Sequence, residues 1–515
     1  MSKRILIFML TVILVGTFTL SSFQITEASD GQMIRIGVVP QAETIDIGSE
    51  ESFVIKDKVT DEILAEGIND FATISLESSG TIETNYRLQV AWTTSEPYMN
   101  DWLDRASNAG YETYIEPYNN GYRLYIGEFP ADASWSVRNA FRDEVIALGL
   151  AANDSFWKLI TISTGTSSMK VSYNGEHTVT ENPVVISSED GLIEINGKKY
   201  RGNGEVAYNS KGTLAGINEL PVEQYLYGVV PRELPPVPYG EMEAQKAQAV
   251  AARTYTLANL GKRSNDGYDL LPTTSDQVYA GYEAEHPIST QAIKETEGTV
   301  ATHNGKLITA VYHSTSGGVT ANNEDVWDSE PVDYLRGVPV FDLDGKSRKK
   351  APSMDSFIND KNATSLRKMD GYEEDWSKYY RWQFEWTAEE ISEVLSEYYK
   401  TDVGEVYEIN VLERANYGRI LEIEYVTENG IFYEQKDRVR WSLKYINAKG
   451  EHSVLLSTLF FILPTHSGGF KAYGGGWGHG VGMSQTGAVG MAYDGDTFDE
   501  ILKHFYQGIE LEVRY

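Results

Sequence analysis

Apolar and polar residues alternate along much of this chain, and a helical period replaces the alternation at only a few places. Residues 33–80 read as short alternating strands, with Ile34-Arg-Ile-Gly-Val-Val39 as one of them. The same pattern returns at residues 169–173, 184–187, 192–195, 199–201 and 204–208, where Asn174-Gly175 and Asn196-Gly197 are hairpin turns. Residues 241–260 break the pattern: Ala247, Val250, Ala251, Thr254, Leu257 and Ala258 fall on one helical face. So many alanines let neighbouring elements approach closely. Lys246 and Arg253, seven apart, share a face of this helix. Thr387-x-x-Glu390 is a capping box that opens a helix running to about residue 399. Alternation then resumes as far as residue 461, and a final helix is expected over residues 497–505. Residues 345–380, rich in Lys, Asp and Asn, read as a solvated insertion or loop.

An internal repeat lies between the two β-rich stretches. Tyr86-Arg-Leu-Gln-Val90 recurs as Tyr122-Arg-Leu-Tyr-Ile126, each followed by a helical segment (98–108 and 134–148) that ends near Gly110 or Gly149. A strand–helix–strand unit at this period implies a small two-fold α+β module. With Gly110-Tyr111 opening a strand and Gly127-Glu-Phe129 closing one, residues 85–155 resemble the SPOR domain. That resemblance implies binding of septal peptidoglycan; the alternative is a small αβ sandwich with no ligand. After a Ser/Thr/Gly-rich linker at residues 163–168 the strands resume, so the module either interrupts one β-rich domain or separates two pieces.

A chain of 515 residues has room for two or three domains, and 41% hydrophobic and 12% aromatic residues mark it as globular. The 33 tyrosines and 10 tryptophans suit flat hydroxylated ligands, and equally suit sheet packing. A net charge of −31 argues against a nucleic-acid partner, and any anionic polymer must be held locally, by shape and hydrogen bonds. With no cysteine, disulfides, thiolate metal sites and cysteine nucleophiles are excluded. Lys3-Arg4 precede an apolar run from Ile5 to about Leu20, and Thr26-Glu27-Ala28 offers a small-residue cleavage site. Residues 1–28 thus have the layout of a secretory signal peptide, with an uncleaved membrane anchor as the alternative. Either way the protein is expected outside the cell, in the wall or on the outer face of the membrane.

Three segments carry candidate chemistry. Glu233 stands in a Pro-rich stretch, Val-Pro-Arg-Glu-Leu-Pro-Pro, expected as a turn that holds the carboxylate rigidly just before the alanine-rich helix. Flanking apolar residues would raise its pKa, as a general acid requires; the bland reading is an exposed glutamate or one paired with Arg232. Tyr312-His-Ser-Thr-Ser-Gly-Gly318 gathers hydroxyls and an imidazole able to bond sugar or carboxylate oxygens. Gly474-Gly-Gly-Trp-Gly-His-Gly-Val-Gly-Met-Ser-Gln485 is a glycine-dense loop that brings backbone amides, Trp477 and His479 close to a ligand. His313 and His479 are also metal-ligand candidates, and His313, Ser316 and Asp325 could make a triad, although Ser316 lacks a nucleophile-elbow context.

The order of these motifs, from Glu233 through Ala244–Tyr255, Thr274-Ser-Asp-Gln-Val-Tyr-Ala-Gly281, Tyr312–Gly318 and Gly476–Gln485 to Glu500-Ile-Leu-Lys-His-Phe-Tyr506, resembles the SpoIID/LytB domain family over residues 165–515. Residues 29–84 are expected to join that domain. The resemblance implies an α+β fold, β-rich with helices packed around it, beside the small βαββαβ unit. It also implies a peptidoglycan lytic transglycosylase acting in sporulation or at septa, with Glu233 as the single acid/base; the alternative is a glycan-binding enhancer of an amidase. Arg232, Lys246, Arg253, Gln277, Tyr279, His313, Ser314, Ser316, Trp477, His479, Ser484 and Gln485 are the implied substrate-binding residues. The implied partners are glycan strands and an amidase or other septal or sporulation wall proteins. No cofactor is expected: some family members hold zinc through cysteine and histidine, but this chain has no cysteine and Asp276 precedes Gln277. Thr486 also departs from the family pattern, which often places an aromatic there.

Overall fold

The computed structural model describes residues 31–515 apart from 79–80, 119–120, 165–166, 341–353, 355–371, 374–375 and 448. The expected leader at 1–28 lies outside the described residues, as does most of the segment 345–380. Among the described residues no helix is long and apolar enough to cross a membrane.

The chain opens with β1 (Met33–Ala42), β2 (Thr44–Asp57) and β3 (Ile63–Ser78). These are long strands where short ones were expected, because bulges between Ser49 and Ser52 and between Ile55 and Lys56 let pairing continue across slips in the pattern. A smaller unit follows: β4 (Thr81–Thr93), α1 (Glu96–Asn108), β5 (Thr113–Tyr118), β6 (Gly121–Pro130), α2 (Trp135–Ala147) and β7 (Phe156–Thr164). Its antiparallel sheet has the order β5-β6-β4-β7, and Ser95 and Ser134 cap its helices. Leu88, Leu124 and Ile126 meet Trp102 and Val145 in a separate core. The unit is a split βαβ fold.

The chain then returns through β8 (Ser168–Tyr173), β9 (Glu176–Thr180), β10 (Val184–Ser188), β11 (Leu192–Ile195), β12 (Lys198–Arg201), β13 (Asn203–Tyr208) and β14 (Leu214–Pro221). These strands join the first three in one sheet, ordered β1-β14-β13-β10-β2-β3-β8-β9, with β11 bridging β2 and β12. Ser78 and Ser168 pair across β3 and β8, and their hydroxyls lie 2.7 Å apart. The small unit therefore leaves and re-enters the main sheet at one point. The two Asn-Gly turns adopt positive φ at both residues, as two-residue hairpins need.

Alternate residues of the main sheet, among them Ile34, Ile36, Ile45, Ile47 and Ile55, are fully buried against α3 (Val222–Glu233) and α4 (Met242–Ala258). The sequence places the apolar residues of α4 on one face. In the structure every residue from Ala244 to Thr256 except Lys246 is buried. Ala249 and Ala252 face the sheet, while Ala244, Ala247 and Ala251 face a second core with Ile501, Leu502 and Phe505 of the last helix. Alanine suits such a central helix because both neighbours must come close. Another helix, α5 (Pro287–Glu295), packs along it. Residues 382–474 add two three-stranded sheets around a core of their own, including Trp386, Ile391, Leu395 and Tyr425. The fold is α+β and β-rich.

Candidate active site

Glu233 sits at the C-terminal end of α3, a helix that contains Pro231, and not in the strand-to-helix turn the prolines imply. The prolines act one step later: Leu234 leaves the helical conformation, and the loop beyond is pinned by Gln245, whose amide donates to the carbonyls of Leu234 (2.8 Å) and Tyr239 (2.9 Å). The carboxylate is partly buried and accepts the Val278 backbone N–H at 2.6 Å. Burial pushes its pKa up, opposed by the bonds from Val278 and the Gln485 side chain and by the Arg232 charge. The helix carbonyl end also disfavours the anion, in the same direction as burial. The phenols of Tyr225 and Tyr312 both feel the charge of this carboxylate.

The irregular segment 274–281, whose Val278 bonds Glu233, is held by a buried network. Gln277 donates to Thr256 Oγ1 (2.9 Å) and accepts from the Tyr312 hydroxyl (2.9 Å). Tyr279 donates to Asn218 and its ring packs on Tyr225. At Gly228 of α3 a Cβ would meet the Tyr279 ring at 2.6 Å, so the helix approaches this segment as closely as only glycine allows. Gln277 and Tyr279 are thus internal supports of Val278.

The two loop motifs come together. Tyr312–His313 pairs parallel with Met483–Ser484, and Thr315 and Trp477 exchange both backbone hydrogen bonds (3.1 and 2.8 Å). Ser484 caps the helix Gln485–Asp494, whose first side chain reaches Glu233. Gln485 also donates to Gln248 of α4 (3.3 Å). Trp477 is 42% exposed and packs on Tyr379, ring centroids 4.6 Å apart. Thr486, which departs from the family's frequent aromatic, is buried and donates to the Ser314 carbonyl.

A residue that the sequence hides lies at the junction of these loops. Glu373 is fully buried and accepts from Ser316 N (2.5 Å), Ser316 Oγ (2.8 Å), Gly318 N (2.8 Å) and Ser484 Oγ (2.5 Å). It belongs to the stretch expected as a solvated loop; the described residues 372, 373, 376, 377, 379 and 380 are instead buried or partly buried, with Ser377 on Thr315, and Lys378 alone among them is exposed. Ser316 spends its hydroxyl on Glu373, His313 Nδ1 meets the Val481 carbonyl, and Asp325 accepts from Asn322, so the three do not form a triad.

His313 and His479 lie with ring centroids 5.6 Å apart, and His479 packs on Trp327. Burial lowers both imidazoles, His313 well below its ordinary value and His479 to about 4. Arg419, fully buried, donates to the Ser316 carbonyl and is lowered by burial to about 10. Its guanidinium fills the space that a Cβ at Gly480 would need, 2.2 Å away. The donors do not suit a zinc ion. Asp276 is committed to Lys262 (2.6 Å), Arg263 (2.9 Å) and the Leu271 N–H, and the described residues contain no cluster of three ligating side chains.

The remaining cations of the sequence reading divide. Arg232 is exposed beside Glu233. Lys246 pairs with Glu243 and Glu295, each at 2.8 Å. Arg253 is fully buried, bidentate to Glu223 (2.6 and 2.7 Å), and bonds the carbonyls of Thr299 and Ile293. These two join α4 to α3 and α5. Ser314 is partly buried, its carbonyl taken by Thr486.

Known proteins resemble this chain in sequence. Residues 210–303 match the model of the Stage II sporulation protein family, and residues 321–482 match a domain of unknown function, DUF8618. An uncharacterized protein of Brachyspira hyodysenteriae is 29% identical over 330 residues, 64% of this chain and 76% of that one. The amidase enhancer of Bacillus subtilis is 30% identical over 309 residues, 56% of this chain but 40% of the enhancer. Stage II sporulation protein D of Bacillus subtilis is 27% identical over 310 residues, 57% of this chain and 75% of the relative. Residues 210–303, the part that matches the Stage II sporulation protein family, carry Glu233 and its Val278 partner.

Proposed function

We propose that this protein remodels bacterial cell-wall peptidoglycan outside the cytoplasm, as a lytic transglycosylase with Glu233 as its acid/base. The observation that carries the reading is Glu233 itself: a carboxyl whose pKa burial raises, fixed by a backbone N–H and a side-chain amide. A raised pKa keeps such a group protonated to higher pH than an ordinary carboxyl, and its bonds keep it aimed. The neutral carboxyl gives its proton to the glycosidic oxygen between MurNAc and GlcNAc, and that bond breaks. The resulting carboxylate takes the proton of the MurNAc C6 hydroxyl as its oxygen bonds to C1, which leaves a 1,6-anhydro end and restores the acid. No second carboxylate or metal is required, in contrast to two-carboxylate glycosidases.

Incubating denuded glycan strands with the protein and with Glu233→Gln, followed by mass spectrometry, tests this. Oligosaccharides ending in 1,6-anhydroMurNAc are expected from the wild type only; their absence, or equal yield from both, refutes it. The likeness to an amidase enhancer supports a second reading, in which the same site binds glycan and stimulates a separate N-acetylmuramoyl-L-alanine amidase. Stimulation of such an amidase by Glu233→Gln as strongly as by the wild type would favour it. The split βαβ unit at β4–β7 is proposed as a SPOR-like glycan-targeting module in either case.

A further inference from the structure

The loop after Glu233 carries Tyr239, which no family motif marks. Tyr239, held by its carbonyl to Gln245, is partly buried, and both Lys378 and Tyr379 act electrostatically on its phenol. Tyr379 packs on the half-exposed Trp477 at 4.6 Å, and Lys378 Nζ lies 4.9 Å from the centre of the Tyr379 ring. Lys378 is exposed and has no carboxylate partner among the described residues. The Lys378 ammonium thus stands at the ring that packs on Trp477, and its charge and that ring both act on the Tyr239 phenol. On a chain of net charge −31, long-range attraction cannot bring in an anion, so a cation placed among stacking surfaces is a local exception.

Pyranose rings present apolar faces that stack on Tyr and Trp, and an ammonium beside them suits a carboxylate on the same ring. We propose that Trp477, Tyr379 and Tyr239 form a saccharide subsite in which Lys378 binds the lactyl carboxylate of a peptide-free N-acetylmuramic acid. This rests on the peptidoglycan reading above. Where a stem peptide is attached, the same carboxyl is a neutral amide and offers Lys378 no charge. Lys378 is thus the residue that discriminates stripped from peptide-bearing sugars.

The test measures binding alone, with the full chain carrying Glu233→Gln so that nothing is cleaved. Its ligands are a denuded GlcNAc–MurNAc tetrasaccharide and the same oligosaccharide with its lactyl carboxyls reduced to alcohols. Lys378→Gln is expected to weaken binding of the native oligosaccharide about tenfold, as loss of one charge-assisted bond does. Reduction should weaken the parent by the same factor, and the variant should lose nothing further on the reduced ligand. Equal affinity of variant and parent for the native ligand, equal loss on both ligands, or no binding of either overturns the proposal. Because Lys378 is at the surface, thermal melting of the variant should match the parent. Carboxylate-dependent binding by a wild type that yields no anhydro products would sink the transglycosylase reading and leave this one standing.

Discussion

At the scale of single residues, two glutamates have opposite environments. Glu233 is disfavoured as an anion by burial and by the helix carbonyl end, whereas Glu373 is surrounded by four donors. Glu233→Gln should lower turnover by about 10²–10⁴-fold, the usual contribution of one general acid. The wild-type rate should fall as pH rises through the raised pKa, since the neutral form is the acid. Stability follows the same sign. The raised value means that stability present while the carboxyl is neutral is lost as pH climbs through the folded-state pKa. Glu233→Gln cannot ionise, so its melting temperature should exceed wild type at about pH 8 and match it at about pH 4. An unchanged difference across that range would count against the buried acid. Glu373→Ala strands several buried donors and should cost about 3 kcal/mol in denaturant unfolding. Glu233 could be found in the sequence because its neighbours are apolar and prolines flank it. Glu373 could not: its partners are far away in the chain, and its surroundings are polar enough to read as solvent-facing.

At the scale of elements, local chemistry was readable and two-sided burial was not. The capping box at Thr387–Glu390 and the Asn-Gly turns appear where the sequence puts them, because each is decided within four residues, and the final helix opens on a second box, Thr497–Glu500. β14 escaped notice since it is buried on both faces and shows no alternation. α4 misled for the same reason. The glycine-dense loop was recognisable, but its fit around Arg419 was not. Gly480 has φ +88 and no room for a Cβ, so Gly480→Ala should destabilise by about 2–3 kcal/mol, and denaturant unfolding would reveal the loss. Beside it, the lowered imidazoles of His479 and His313 give stability that is full above the ordinary histidine range. It is lost as pH falls from about 6.5 toward the folded-state value of about 4 for His479. A melting curve series from pH 7 to 4 should therefore slope less steeply in His479→Gln than in wild type; parallel slopes would show that the ring is not held neutral.

At the scale of the whole molecule, the arrangement of units decides what can be removed. The main sheet uses strands from both sides of the βαββαβ unit, so chain order and spatial order differ, and the period that reveals the unit says nothing about how the flanking strands pair. Pairing supplies that: Ser78 faces Ser168, and β3 runs into β8 as though nothing intervened. The unit also has its own core around Trp102, separate from the buried isoleucines of the main sheet. Replacing residues 79–166 by a short Gly/Ser hairpin should therefore leave the remainder folded, with far-UV circular dichroism and a cooperative melt retained. If that unit supplies glycan targeting, the excised protein should be pulled down less by denuded strands yet cleave short oligosaccharides as fast as the full chain, since Glu233, Val278 and Gln485 all lie outside it. Equal pull-down would remove the targeting role from the unit. A loss of cleavage by a folded remainder would mean that the unit shapes the site, against the separation of cores on which the excision rests.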